Sequence, residues 1–229
     1  MKTIGVIGGM SWESTARYYD LINRETARRL GGLHSAPMVI DSLDFAAIEA
    51  LQKTGDWTEA GAILARSALR LQAAGADMVI LATNTMHRVA DTIEASIAVP
   101  FLHIADPTAD ALIADGAATV GLLGTRFTME MDFYTARLAA RGLQPLVPDV
   151  DRTNLDGIIY NELCRGIVTD ASRAVYVTAI ERLAARGAQA VILGCTEIGM
   201  LIADEDSPLP LYDTTVLHAQ AAVAAALEA

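Results

Sequence analysis

Two similar ten-residue stretches of this chain predict its fold. Residues 74–83 have the sequence AGADMVILAT, and residues 186–195 have the sequence RGAQAVILGC. In each, a glycine precedes a short apolar run, which predicts a turn followed by a buried β-strand. When the two stretches are aligned on their shared Val-Ile-Leu, Thr83 stands opposite Cys195.

A second pair of stretches indicates that the whole chain is duplicated. Residues 3–9 (TIGVIGG) resemble residues 119–125 (TVGLLGT), and each stretch opens one half of the chain ahead of a helical pattern. Both pairs occur in the same order with nearly the same spacing, which favours an internal repeat. The alternative is that strands of unrelated α/β proteins resemble one another.

Apolar runs alternate with longer helical patterns along the rest of the 229 residues. We predict strands at residues 3–8, 38–41, 78–82, 101–103, 119–124 and 190–194, and helices at residues 57–74 and 171–186. This alternation predicts the α/β class, with parallel sheets covered by helices on both faces. We expect two similar α/β/α domains, the first formed by residues 1–104 with 211–229 and the second by residues 105–210.

Composition excludes several classes of function. Hydrophobic residues make up 52% of the chain, enough for a large core, which argues against disorder. The net charge of -11 disfavours binding to nucleic acids and to anionic membranes. No apolar run suits a membrane span or a signal peptide, and there are only two cysteines, so we expect a cytoplasmic protein with thiols rather than disulfides.

Thr83 and Cys195 are the candidate catalytic residues, because ligands of open α/β sheets bind beyond the carboxyl ends of strands. Moving a proton from one face of a carbon to the other needs a proton-transfer group on each face. A thiol suits this task, and the start of a helix after Cys195 would lower its pKa. A hydroxyl is a much weaker acid. The alternatives are a buried, inert cysteine and a threonine that caps a helix.

Polar residues beside these strand ends are candidates for binding a substrate carboxylate. Asn84 and Thr85 follow one strand, Thr196 and Glu197 follow another, and both pairs are predicted to start helices, whose amino termini bind anions. Thr125 and Thr128 follow the first strand of the second half and are candidates for the same role. Near residue 10, Ser11 and Ser14 are candidates for capping or for substrate contact. A histidine side chain can transfer protons at neutral pH, but we interpret His87 and His218 as hydrogen-bonded packing residues.

The sequence disfavours the common cofactors. Residues 5–9 (GVIGG) lack the spacing of a dinucleotide-binding loop, and no group of Cys, His, Asp or Glu has the spacing of a metal site. Pyridoxal phosphate requires a Schiff-base lysine, and the two lysines, Lys2 and Lys53, lie at the amino terminus and in a polar stretch. We therefore expect no cofactor and no metal.

Three motifs together resemble the aspartate/glutamate racemase family across nearly the whole chain. They are residues 8–15 (GGMSWEST), residues 84–87 (NTMH) and residues 194–198 (GCTEI). The resemblance implies two α/β domains related by a pseudo-twofold axis, an active site in the cleft between them, a homodimer, no cofactor, and a proton-transfer residue on each side of the substrate. It implies cysteines at both positions, so Thr83 departs from the pattern. This chain is similar to a subgroup of L-aspartate/L-glutamate-specific racemases with the same Thr/Cys pair.

In that subgroup, the resemblance implies that Cys195 takes the α-proton of the L-enantiomer and that Thr83 serves the opposite face. Arg165 matches a basic residue that binds the side-chain carboxylate, whereas Gln52 stands in place of another, so the resemblance does not imply a strict preference for acidic side chains. The predicted substrate-binding residues are Met10, Ser11, Gln52, Asn84, Thr85, Thr125, Thr128, Arg165, Thr196 and Glu197. Two alternatives remain: a malonate-type decarboxylase that uses one cysteine, and a non-catalytic binder of acidic amino acids.

Overall fold

The computed structural model describes residues 1–228, and Ala229, the last residue of the predicted first domain, lies outside them. The chain divides into two compact units. One contains Met1–Ile104 and the chain from His218 onward, and the other contains Ala105–Leu217. Within residues 1–228, no helix is both long enough and apolar enough to cross a membrane.

Eight strands and ten α-helices form within the described residues. The strands are β1 (Ile4–Gly8), β2 (Met38–Ser42), β3 (Met78–Leu81), β4 (Phe101–Leu102), β5 (Thr119–Gly124), β6 (Gln144–Leu146), β7 (Ala190–Gly194) and β8 (Leu211–Asp213). The α-helices are α1 (Trp12–Leu30), α2 (Phe45–Thr54), α3 (Trp57–Ala73), α4 (Ala90–Glu94), α5 (Ala105–Ala114), α6 (Arg126–Glu130), α7 (Asp132–Ala140), α8 (Arg152–Asn161), α9 (Asp170–Ala185) and α10 (Thr214–Leu227). Short 3₁₀ helices span Thr85–Val89, Leu163–Arg165, Ile198–Met200 and Asp204–Asp206.

Each unit has one four-stranded parallel sheet. The strand order is β2-β1-β3-β4 in the first unit and β6-β5-β7-β8 in the second. All neighbouring strands are parallel. The prediction of two similar α/β domains with four-stranded parallel sheets is confirmed, and the strand order is the same in both units.

The register of the central strands agrees with the repeat read from the sequence. In the first sheet Ile4 pairs with Met78, and in the second Val120 pairs with Ala190. These are equivalent positions of the two matched pairs of stretches. The repeat therefore extends from sequence to hydrogen-bonding register, as expected for a duplicated unit.

Alternating residues of β3 pack on opposite faces of the first sheet. Val79 and Leu81 contact the apolar cluster that includes residues of α2 and α3. Met78 and Ile80 contact a second cluster, formed with α1 and the last turns of α10. Because both faces are covered, every residue of β3 is buried and apolar, which is why the strand reads as a continuous hydrophobic run.

In the second sheet, Val191 and Leu193 of β7 pack against α8 and α9. Leu155 of α8 and Tyr176 of α9 belong to this cluster, and Cys195 extends it past the end of the strand. Cys195, the first residue after β7, thus lies at the margin of an apolar layer, where a polar group is partly shielded from water.

Candidate active site

Thr83 lies two residues beyond β3 and is 8% exposed. Three hydrogen bonds fix the backbone around Thr83. The Thr83 N–H donates to the Leu81 carbonyl at 2.9 Å, and the Ser14 hydroxyl donates to the Ala82 carbonyl at 3.0 Å. His87 Nδ1 lies 2.8 Å from the Thr83 carbonyl oxygen. The Thr83 hydroxyl makes no hydrogen bond with the rest of residues 1–228, so its position is set by the backbone.

The alternative that Thr83 caps a helix is wrong. The chain continues into the 3₁₀ helix Thr85–Val89, and the residue that precedes it is Asn84. Asn84 makes no side-chain capping bond to that helix, and both Asn84 and Thr85 are buried. The structure therefore leaves the Thr83 hydroxyl without a capping role.

The other predicted residues of the first unit lie around the ends of β1 and β3. Ser11 caps α1, because its hydroxyl accepts the Ser14 N–H at 3.2 Å. Met10 belongs to the same apolar cluster as Met86, which follows Thr83 in the chain. Gln52 of α2 is buried, and its Nε2 donates to Met86 Sδ at 3.0 Å. Gln52 therefore contacts the segment that carries Thr83.

In the second unit, Cys195 is 7% exposed and directly follows β7. Its thiol donates to Glu197 Oε2 at 3.0 Å, and the Thr196 hydroxyl donates to the same oxygen at 2.7 Å. Glu197 and Thr196 are both buried. A carboxylate is therefore positioned to accept a proton from the candidate catalytic thiol.

The surroundings of Cys195 raise the pKa of its thiol well above the ordinary value. Burial is the main cause, and the negative charge of Glu197 adds to it. The prediction that a helix amino terminus lowers this pKa is wrong, because only the three-residue 3₁₀ helix Ile198–Met200 follows. At neutral pH the thiol is protonated, so it can give up a proton as an acid and needs help to act as a base.

Thr125 directly follows β5, the strand that pairs with β7, and Thr128 lies in α6. Gly124, which precedes Thr125, pairs with Gly194, which precedes Cys195. The Thr125 hydroxyl accepts the Thr128 N–H at 3.3 Å and so caps α6. Both threonines are buried beside the strand ends.

Arg165 ends the 3₁₀ helix that follows α8. It is exposed, and its backbone N–H donates to the Glu162 carbonyl at 2.9 Å, but its guanidinium makes no hydrogen bond or ion pair with the other described residues. The preceding residue, Cys164, packs against the apolar cluster that contains Cys195. Arg165 is thus a cation without a partner within its unit, as a residue that binds a carboxylate would be.

Within each unit, most of the candidate residues follow the carboxyl ends of neighbouring strands, whereas Gln52 lies in α2 and Arg165 follows α8. The first unit contributes Met10, Ser11, Gln52, Thr83, Asn84 and Thr85, and the second contributes Thr125, Thr128, Arg165, Cys195, Thr196 and Glu197. Sequence reasoning missed the bonds of Ser14 and His87 to the backbone around Thr83. The spacing of His87, four residues after Thr83, is the one signal for such a contact.

We searched the described residues for side chains that could hold a metal ion or pyridoxal phosphate. Across residues 1–228, no group of three or more His, Cys, Asp or Glu side chains is arranged to hold a metal ion. Both lysines are exposed, and Lys53 forms an ion pair with Glu49 at 2.5 Å on the surface of α2. Neither lysine is in the apolar surroundings that favour a Schiff base.

Comparisons with known proteins identify relatives of the whole chain. The family model Asp/Glu/Hydantoin racemase matches residues 7–222. The chain is 24% identical to the broad specificity amino-acid racemase RacX of Bacillus subtilis (strain 168), over 96% of both proteins. It is also similar to two solved structures, each covered in full. One is a Yersinia pestis protein provisionally assigned as an Asp/Glu racemase (49% identity, TM-score 0.92). The other is an aspartate racemase homologue from Pyrococcus horikoshii OT3 (34% identity, TM-score 0.84).

Proposed function

Because the chain belongs to the Asp/Glu/Hydantoin racemase family, we propose that it is a cofactor-independent racemase that interconverts L- and D-aspartate and L- and D-glutamate. One observation carries the proposal. The two sheets have the same strand order, and each places a side chain that can transfer a proton beyond its third strand in chain order. These side chains are Thr83 and Cys195.

In the proposed reaction, Cys195 and Thr83 act on opposite faces of the α-carbon. The thiol first passes its proton to Glu197, which lies 3.0 Å away, and the thiolate then takes the α-proton of the L-enantiomer. The Thr83 hydroxyl donates a proton to the other face of the carbanion. Glu197 then releases its proton to solvent and the Thr83 alkoxide takes one from solvent, so all three side chains return to their starting protonation states. The product is the D-enantiomer, and no atom is gained or lost. A positioned acid or base contributes about 10²–10⁴-fold to such a step.

The two proton-transfer groups are chemically unequal, and this shapes the kinetics that we expect. The equilibrium constant of racemisation is one, so kcat/KM must be equal in the two directions. A hydroxyl is a poor acid and a worse base, so inversion is slower than exchange at Cys195. The L-enantiomer therefore exchanges its α-proton with solvent faster than it becomes the D-enantiomer.

Arg165 and Gln52 are the proposed contacts of the substrate side chain. The Arg165 guanidinium has no partner among residues 1–228, so it can pair with a carboxylate. Gln52 is neutral and already bonds to Met86, so it adds no second positive charge. The Bacillus subtilis relative is a broad specificity racemase. We propose that acidic amino acids are preferred and that neutral ones are also accepted.

The test is proton NMR of L-Glu, D-Glu, L-Asp and D-Asp incubated with the protein in D2O, with chiral chromatography of the same samples. We expect the α-proton signal of the L-enantiomers to disappear, and D-product to accumulate more slowly. Cys195→Ser should abolish both, whereas the matched control Cys164→Ser should retain both. If none of the four amino acids exchanges, the acidic-substrate proposal fails, and neutral amino acids and disubstituted malonates are the next substrates to assay.

Location and assembly are part of the same proposal. The family resemblance supports a homodimer, and the two cysteine thiols support the reducing cytoplasm. Light scattering coupled to size-exclusion chromatography measures the assembly directly. A monomeric mass at micromolar concentration would contradict the homodimer.

A further inference from the structure

His87 links two segments of the first unit. It is 2% exposed, and its Nδ1 lies 2.8 Å from the carbonyl oxygen of Thr83. Its Nε2 accepts the backbone N–H of Ile104 at 3.1 Å. Ile104 lies just beyond β4, so the imidazole joins the ends of two neighbouring strands.

These two bonds fix the proton on the His87 ring. The N–H of Ile104 can only donate, so Nε2 carries no proton and acts as the acceptor. The carbonyl of Thr83 can only accept, so Nδ1 carries the proton and donates it. His87 is therefore neutral, with its proton on Nδ1.

A second buried histidine, His218, lies nearby but bonds to other residues than Thr83. His218 is fully buried, and its ring centroid lies 6.1 Å from that of His87. Its Nε2 lies 2.9 Å from the Leu102 carbonyl oxygen, and its Nδ1 lies 2.8 Å from Tyr18 Oη. Those bonds join β4 to α1 and α10 rather than to Thr83. His218 thus offers a matched control: a buried, doubly bonded histidine in the same part of the fold.

The bond from His87 matters because the Thr83 hydroxyl has no hydrogen bond of its own among residues 1–228. Only the backbone positions that hydroxyl. Ser14 holds the Ala82 carbonyl and His87 holds the Thr83 carbonyl, so two side chains fix consecutive peptides. A displacement of about 1 Å of a reacting group can cost roughly 100-fold in rate.

We propose that His87 is a positioning residue that fixes the Thr83 peptide and thereby sets the rate of proton transfer on the Thr83 face. The proposal rests on the proposed racemase function and deepens it. In this proposal, His87 affects proton transfer on the Thr83 face of the substrate and not on the Cys195 face. Proton exchange at Cys195 does not depend on His87.

The experiment measures the ratio of inversion to α-proton exchange for L-Glu in D2O, in wild type, His87→Leu, His87→Gln and His218→Leu. The ratio does not depend on how much of the protein is folded, so it separates positioning from stability. We expect His87→Leu to lower the ratio by about 10-fold or more, since Leu fills the volume but makes neither bond. His87→Gln keeps one donor and one acceptor, so it should recover part of the ratio. His218→Leu should leave the ratio within about 2-fold of the wild-type value. It is a matched control because both Leu variants lose buried hydrogen bonds.

The ring proton provides a second measurement that needs no variant with altered stability. Nitrogen-15 NMR of the wild-type protein should show His87 as the neutral form with Nδ1 protonated. A proton on Nε2, or an unchanged ratio in His87→Leu beside an active wild type, would overturn this proposal alone. If the wild type shows no α-proton exchange with any amino acid, both proposals fail.

Discussion

The turns after β3 and β7 occupy equivalent places in two sheets of the same topology, yet they hold their polar residues differently. After β3, the hydrogen bonds go to the backbone of Thr83, and its hydroxyl is left without a partner among residues 1–228. After β7, the bond goes to the side chain, from the Cys195 thiol to Glu197. Proton transfer by a weakly acidic hydroxyl depends on how accurately the hydroxyl is positioned. Proton transfer by a buried thiol depends on a nearby group that can take the proton of the thiol.

Removal of the Thr83 hydroxyl should have the largest effect that separates the two turns. Thr83→Val keeps the shape of the side chain and should slow inversion of L-Glu by about 10²–10⁴-fold. Exchange of the L α-proton should continue, because it depends on Cys195. Thr83→Ser retains the hydroxyl and serves as the control. Equal loss of exchange and inversion in Thr83→Val, measured by NMR and chiral chromatography, would contradict the division of faces.

Replacement of Glu197 tests the partner of the thiol. Glu197→Gln removes the negative charge that raises the pKa of Cys195, so the pKa should fall. Two opposite effects are expected: alkylation of Cys195 by iodoacetamide at pH 8 should become faster, and L α-proton exchange should slow by roughly 10-fold or more. Cys164→Ser ensures that the alkylated residue is Cys195. If alkylation and exchange change in the same direction, Glu197 is not the proton acceptor.

Thr83→Cys makes the two turns alike. A thiol is a far stronger acid than a hydroxyl, so the ratio of inversion to exchange should rise by about 10-fold. The gain should appear with the D-enantiomers as well, because their α-proton is then removed by a thiol. A ratio that does not change would show that placement, rather than acidity, limits the Thr83 face.

The raised pKa of Cys195 also predicts a modest dependence of stability on pH. Below the ordinary thiol pKa, the folded and unfolded states are both protonated, so Cys195 adds no pH dependence. Above it, the unfolded state loses a proton that the folded state keeps, and stability falls by up to about 1.4 kcal/mol per pH unit until the folded thiol ionises. Denaturant unfolding of wild type and Cys195→Ser between pH 7 and 10 measures the difference. Identical slopes would contradict the raised pKa.

Much of the fold follows from the sequence because its central strands are continuous apolar runs. The predictions for β5 and β7 are confirmed to the residue. Two edge strands were not predicted. β6 contains Pro145, and β8 has only three residues and follows Pro210, so neither has the pattern of a buried strand. These strands form because the neighbouring central strand offers hydrogen-bonding groups along its edge.

The α/β class, the duplication, and the places of Thr83 and Cys195 at equivalent strand ends are predictable from sequence, because they depend on local apolar runs and their repetition. The chemistry at those ends depends instead on contacts between residues that are distant in sequence. The pKa of Cys195 rises because helices distant in sequence bury it, against the local expectation. The Thr83 peptide is held through His87 to Ile104, a hydrogen bond between residues 17 positions apart that no local pattern specifies.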